Sequence, residues 1–88
     1  MKNNDLKYID IEKKIKKILA DKSKLPIEEI KLDSLLIDDL GIDSFTAIEI
    51  LFQIEDIFNI GILEKNFKEM QTVEDIVNYI INNNKLLK

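Results

Sequence analysis

The sequence predicts an all-α fold: a small bundle of three main helices plus one short helix, with a long loop between the first and second main helices. Apolar residues recur three and four positions apart in three separate stretches, as they do on the buried face of a helix. The chain of 88 residues has only two glycines and one proline, which leaves few sites for tight turns. It has no cysteine, so no disulfide stabilises it, and its hydrophobic core alone must hold one small domain together.

The first main helix is predicted over residues 11–19. Its apolar face consists of Ile11, Ile15, Ile18 and Leu19. Pro26 ends this helix or lies just beyond it, because proline disfavours a helical conformation in the residue before it. The same proline can begin one short turn as its first residue. Residues 31–42 then form the long loop, and we expect its apolar residues to contact the core: Leu32, Leu35, Leu36, Ile37, Leu40 and Ile42.

The second main helix is predicted to run from about Ser44 to Phe58. Asp43 or Ser44 supplies its N-cap oxygen, because short polar side chains accept hydrogen bonds from the first free N–H groups of a helix. Gly61 stands where such a helix stops. Residues 64–70 are predicted to form a short helix or turn.

The last main helix is predicted to begin after Thr72. Asp75 follows three residues later, in a weak version of the capping box, in which two side chains satisfy each other's backbone N–H groups. The apolar stripe of this helix is Val73, Ile76, Val77, Ile80 and Ile81. From Asn82 onward the chain is expected to fray.

The second main helix carries more apolar residues than one buried face needs. One stripe has the spacing of a core-facing surface: Ala47, Ile50, Leu51, Ile54, Ile57 and Phe58. A second stripe, Phe45, Ile48 and Phe52, is rotated away from the first. It is either part of a wide core face, as aromatic stripes usually are, or an exposed docking surface with an acidic rim. That rim would be Glu49, Glu55 and Asp56, which could equally be an ordinary solvated surface.

The charge of the chain restricts its partners. With a formal net charge of -4, nucleic acids and anionic membranes are poor partners for the surface as a whole. The basic run Lys13, Lys14, Lys16 and Lys17 is interpreted as the solvated face of the first helix. No apolar run is long enough to span a membrane, and the N-terminus does not have the pattern of a signal peptide. We therefore expect a cytoplasmic monomer.

Ser44 is the candidate functional residue, because it follows an acidic turn that contains a glycine and begins a long helix. The chain has no histidine and no cysteine, so Ser44 cannot belong to a Ser-His triad. A serine that another protein modifies is a simpler interpretation than a catalytic serine, and we expect no enzyme activity. Taken alone, Ser44 could also be only a helix cap. The aspartates of the turn do not follow the calcium-loop pattern, so no metal site is predicted.

The run Leu40-Gly41-Ile42-Asp43-Ser44-Phe45, followed by Ile48-Glu49-Ile50, resembles the phosphopantetheine attachment motif of acyl carrier proteins. The resemblance covers about residues 11–82. We therefore expect a carrier domain over residues 9–82, with a flexible lead-in over 1–8 and a polar tail over 83–88.

The resemblance also implies a role for each matching residue. Ser44 would carry 4'-phosphopantetheine, derived from coenzyme A, through a phosphodiester. Asp43 would be recognised by the phosphopantetheinyl transferase that attaches this group. The partner-binding residues would be Asp38, Asp39, Phe45, Ile48, Glu49, Phe52 and Asp56. The partners would be that transferase and the acyl-transferring and chain-extending synthase enzymes of fatty-acid or polyketide biosynthesis.

Two departures from the family pattern leave the cargo open. Phe45 stands where leucine is usual, and Thr46 stands where an acidic residue is common. An Asp-Ser-Phe sequence also occurs in D-alanyl carrier proteins, so an aminoacyl, D-alanyl or peptidyl carrier is a second interpretation. A third, of a different class, is a helical protein-interaction module that carries no prosthetic group.

Overall fold

A computed structural model describes residues 8–84. Its elements in chain order are α1 (Tyr8–Ser23), a short 3-10 turn (Ile27–Glu29), α2 (Ser44–Phe58), α3 (Glu64–Lys68) and α4 (Val73–Asn84). Within these residues the only β pairing is an isolated bridge between Leu35 and Thr72. The predicted all-α bundle of three main helices and one short helix is confirmed. No helix in this part of the chain is both long and apolar enough to cross a membrane.

Helix α1 is longer than predicted at both ends. It begins at Tyr8, the last residue of the predicted lead-in, and the rest of that lead-in lies outside the described residues. At its other end Lys24 adopts a left-handed conformation with a φ of 67° and donates its N–H to the Ala20 carbonyl oxygen at 2.9 Å. Pro26 then precedes the 3-10 turn as its N-cap residue. The predicted apolar face is buried: Ile11, Ile15, Ile18 and Leu19.

Helix α4 begins with the predicted capping box. The Asp75 N–H donates to Thr72 Oγ1 at 3.1 Å, and the Thr72 N–H donates to Asp75 Oδ2, also at 3.1 Å. The helix continues to Asn84, two residues into the predicted tail, whose remaining residues lie outside the described part. Its stripe is buried at Val73, Ile76, Val77 and Ile80, while Ile81 is half-buried.

The long loop contacts the core through only part of its apolar residues. Leu36, Leu40 and Ile42 are buried, whereas Leu35 and Ile37 are exposed, Ile37 by 72%. The prediction that these last two contact the core is therefore wrong. The Leu36 N–H donates to the Gln71 carbonyl oxygen at 2.9 Å, which ties this part of the loop to the start of α4. Residues 36–40 then form a turn, closed by the Asp39 N–H on the Leu35 carbonyl oxygen, and this turn leaves Ile37 facing solvent.

Candidate functional site

The serine at the start of α2 is held in place by the residue before it. Helix α2 begins at Ser44, as predicted, and Asp43 is its N-cap: Asp43 Oδ1 accepts the Thr46 N–H at 2.8 Å. Ser44 is therefore the first helical residue and does not cap the helix. Its side chain is exposed, and within residues 8–84 its hydroxyl group forms no hydrogen bond. The hydroxyl is free to react without loss of a structural contact.

Hydrogen bonds close the acidic turn before Ser44. The Gly41 N–H donates to the Ile37 carbonyl oxygen at 2.9 Å. Gly41 has a φ of 69°, a left-handed conformation that glycine adopts without strain. Asp39 Oδ2 accepts the Leu35 N–H at 2.8 Å, which closes the turn from its other side. Asp38 is exposed and makes no such contact within the described chain. The turn thus fixes Ser44 and leaves Asp38 and Asp43 facing solvent.

Hydrogen bonds from Thr46 hold the pKa of Asp43 below its ordinary value of 3.8, the backbone N–H contributing most and the Thr46 hydroxyl next. Because the pKa of Asp43 is lower in the folded state, its charged carboxylate stabilises the fold fully at pH values above the ordinary pKa. This stabilisation is lost as the pH falls through the lowered, folded-state pKa. Among the described residues, no group of three or more acidic side chains could hold a metal ion.

Replacing the cap is expected to weaken α2. At neutral pH, Asp43→Ala should lower the Tm relative to the wild type, because the Thr46 N–H loses its acceptor. As the pH is lowered below about 4, the difference should shrink, since protonation weakens the wild-type cap as well. Circular dichroism melting curves across this pH range measure both effects. Asp38→Ala is the control, because Asp38 caps nothing. Equal Tm values for Asp43→Ala and Asp38→Ala at neutral pH would contradict this role for Asp43.

The second apolar stripe of α2 faces solvent. Phe45 is 74% exposed and Phe52 is 62% exposed, while Ile48 is half-buried. The interpretation of this stripe as core is wrong for both aromatic residues. Asp56, four residues after Phe52, is exposed as well. We call the set Phe45, Ile48, Phe52 and Asp56 the α2 docking face, and its role in binding partners stays a prediction.

The core-facing stripe of α2 is confirmed except at its edge. Ile50, Leu51, Ile54 and Phe58 are buried and Ala47 is half-buried. Ile57 is 46% exposed, contrary to prediction. At 100° per residue, Ile57 lies about 100° from Phe58 and about 60° from Ile54 around the helix, so it stands at the margin of the buried face.

Helix α2 ends before the predicted glycine. Asn59 adopts a left-handed conformation with a φ of 56° and donates its N–H to the Glu55 carbonyl oxygen, so Asn59 and not Gly61 terminates the helix. Asparagine tolerates this conformation better than most residues. The Glu55 carboxylate also accepts the Ile62 N–H at 2.9 Å. Glu55 therefore anchors the chain after α2.

Glu49, which was predicted to contact partners, forms an ion pair within the molecule. Its Oε1 atom lies 3.5 Å from Lys22 Nζ at the end of α1. Of the three acidic residues predicted to form the rim, only Asp56 has neither an ion pair nor a side-chain hydrogen bond in the part of the chain that the structure describes. Lys22 and Glu49 are 27 positions apart in the chain. The spacing of residues within one helix therefore could not predict their ion pair.

A largely apolar cavity of about 480 Å³ lies beside Ser44. Its inner wall includes the buried residues Ile50, Phe67 and Ile76, and its exposed lining includes Asp43, Ser44, Ile37, Glu64 and Lys68. This volume is in the range of small-molecule sites. The sequence prediction missed the α3 residues Glu64, Phe67 and Lys68, because a helix of five residues has too little periodicity to show which side chains face inward.

The sequence of this chain is similar to the sequences of known proteins. A family model described as "Phosphopantetheine attachment site" matches residues 13–80. The chain is 39% identical over 74 residues to an acyl carrier protein of Rickettsia bellii (strain RML369-C), covering 84% of this chain and 86% of that protein. It is 39% identical to an acyl carrier protein of Clostridium acetobutylicum, covering 76% of this chain and 87% of that one. For an acyl carrier protein of Buchnera aphidicola the identity is 36%, with coverages of 86% and 96%. The chain therefore belongs to the acyl carrier protein family, whose cofactor is a covalently attached 4'-phosphopantetheine.

Proposed function

We propose that Ser44 carries the 4'-phosphopantetheine group and that the protein delivers acyl groups to fatty-acid or polyketide-type biosynthetic enzymes. The observation that carries this proposal is the exposed Ser44 hydroxyl, free of structural hydrogen bonds, next to a largely apolar cavity. The chain has three serines, and the other two hydroxyls accept backbone hydrogen bonds: Ser23 from Leu25 and Ser34 from Lys31. Ser44 alone is both exposed and unengaged within the described residues.

The surroundings of Ser44 fit a phosphodiester. The first-turn N–H groups and the dipole of α2 favour an anion at this position by roughly 0.3–1 kcal/mol. Asp38 and Asp43 are exposed nearby and oppose a phosphate by charge repulsion, which solvent and salt screen. These two aspartates therefore do not support the phosphate. We assign them to recognition by the transferase, whose binding surface would be basic.

The largely apolar cavity favours an acyl cargo over an aminoacyl one. When attached, the 4'-phosphopantetheine group supplies the thiol that carries the cargo as a thioester, and the chain itself has no cysteine to do so. Ile50, Phe67 and Ile76 offer a hydrocarbon chain an apolar wall, whereas a charged amino group would lose hydration there without a partner. The chain also has no histidine, and we propose a carrier that is not itself an enzyme.

The α2 docking face would bind both the transferase and the synthase enzymes. Two exposed aromatic rings near an exposed carboxylate combine a large apolar contact area with a charge that orients a basic partner. The face begins one residue after Ser44, so a partner bound to it stands next to the attachment point.

The test of the proposed function is modification followed by loading. The protein is incubated with coenzyme A and a broad-specificity phosphopantetheinyl transferase, and intact mass is expected to rise by one phosphopantetheine arm. The modified protein is then offered to a fatty-acyl ligase and, separately, to amino-acid adenylating enzymes, and only the fatty-acyl product is expected. Absence of any mass gain with several transferases would favour the interaction module. Loading with an amino acid alone would instead identify an aminoacyl or D-alanyl carrier.

A further inference from the structure

Among residues 8–84, one cation from outside α2 forms an ion pair with this helix. Between residues 32 and 63 the chain has seven acidic residues and no lysine or arginine. Lys22, in the last turn of α1, places its Nζ atom 3.5 Å from Glu49 Oε1. The two side chains are 30% and 43% exposed, so the pair lies at the surface, beside the α2 docking face.

The pair lines a polar cleft between the end of α1 and α2, with a volume of about 380 Å³. Its other lining residues are Asp21, Lys24, Thr46 and Gln53. The Gln53 Oε1 atom is buried and has no hydrogen-bond partner among the described residues. The ion pair with Glu49 keeps the positive charge of Lys22 against this side of the helix.

This charge changes what a partner meets on α2. Without Lys22, a basic partner would find two free carboxylates, Glu49 and Asp56, seven residues apart and so about two turns along the helix. With Lys22 in place, Glu49 is paired with a cation, and Asp56, one turn beyond Phe52, remains as an exposed acid of α2.

We propose that Lys22 is a specificity-determining residue of this carrier. By pairing with Glu49, it favours partners that have an apolar socket for Phe45 and Phe52 and one cation opposite Asp56. It disfavours partners that bind through a row of cations along α2, because Lys22 would face one of them. This inference rests on the proposed function, since it presumes that partners dock on α2.

The experiment measures phosphopantetheine transfer by a transferase with a basic carrier-binding surface, for the wild type, Lys22→Gln, Glu49→Gln and the double variant. Lys22→Gln is expected to raise kcat/KM by about threefold to tenfold at low salt, through KM, because a second acid becomes available. The gain should largely disappear at about 0.5 M salt. Glu49→Gln alone should lower kcat/KM by about twofold to fivefold, because it leaves Lys22 unpaired against a basic partner, and in the Lys22→Gln background it should reverse the gain.

Lys13→Gln is the matched control. It removes the same charge from an exposed position on α1. Lys13 lies nine residues before Lys22, which is two and a half turns, so it is on the opposite side of that helix. If Lys22→Gln and Lys13→Gln act alike, or if Lys22→Gln keeps its full gain when Glu49→Gln is added, the inference is overturned while the proposed function stands. If no variant, the wild type included, gains the arm, the proposed function fails and this inference with it.

Discussion

Ser44→Ala is expected to abolish phosphopantetheine attachment completely. Incubation with coenzyme A and a phosphopantetheinyl transferase should leave the intact mass of this variant unchanged, while the wild type gains one arm. The reason is chemical: alanine has no hydroxyl group, and no other serine in the described chain has an exposed hydroxyl that is free of hydrogen bonds. The fold should be preserved, because Asp43 and not Ser44 caps α2. A substitution at such a surface position changes the free energy of unfolding by no more than about 0.5 kcal/mol.

Ser23→Ala provides the comparison. Ser23 also stands at a helix end, but its hydroxyl accepts the Leu25 N–H at 3.3 Å and closes the turn after α1. This variant should gain the arm as the wild type does, with melting curves confirming that both variants are folded. A mass gain in Ser44→Ala, or its loss in Ser23→Ala with the fold intact, would show that the attachment site has been assigned to the wrong residue.

The start of the site could be predicted from sequence because its determinants are local. The beginning of α2 depends on an acid that caps the helix and on an apolar stripe that follows at once, and both lie within a few residues of Ser44. The end of α2 was also predicted at Phe58. The residue that terminates it was not, because the pattern treats glycine as the usual stop and here Asn59 adopts the left-handed conformation.

Features that depend on distant contacts could not be predicted in this way. Ile37 belongs to an apolar run, and only the turn over residues 36–40, held to the start of α4 by the Leu36–Gln71 hydrogen bond, shows that Ile37 faces outward. Glu49 has the spacing of a free surface acid, and only the approach of α1 shows that it forms an ion pair with Lys22. Periodicity identified the second stripe of α2, but its exposure depends on how the other helices pack around α2.

Phe52→Asp is the second substitution with a large expected effect, because Phe52 lies in the middle of the α2 docking face. It is expected to lower the kcat/KM for phosphopantetheine transfer by about tenfold to a hundredfold, since a central aromatic contact in an interface is commonly worth 2 kcal/mol or more. The fold should tolerate the change because the ring is 62% exposed. Phe52→Ala removes the ring without adding a charge and should lower kcat/KM in the same direction. Transferase kinetics measure the effect, and melting curves verify the fold.

Ile57→Asp separates loss of docking from the effect of an added negative charge. Ile57 is also an exposed apolar residue of α2, 46% accessible, but it lies about 140° from Phe52 around the helix, outside the docking face. Ile57→Asp adds the same negative charge as Phe52→Asp, five residues later in α2. It should change kcat/KM by less than about twofold. If Ile57→Asp impairs transfer as strongly as Phe52→Asp, the added charge and not the ring is responsible. If neither variant impairs transfer, the transferase docks elsewhere, and the two exposed phenylalanines serve another contact. A loss confined to Phe52 variants would identify Phe52 as a docking residue for the transferase.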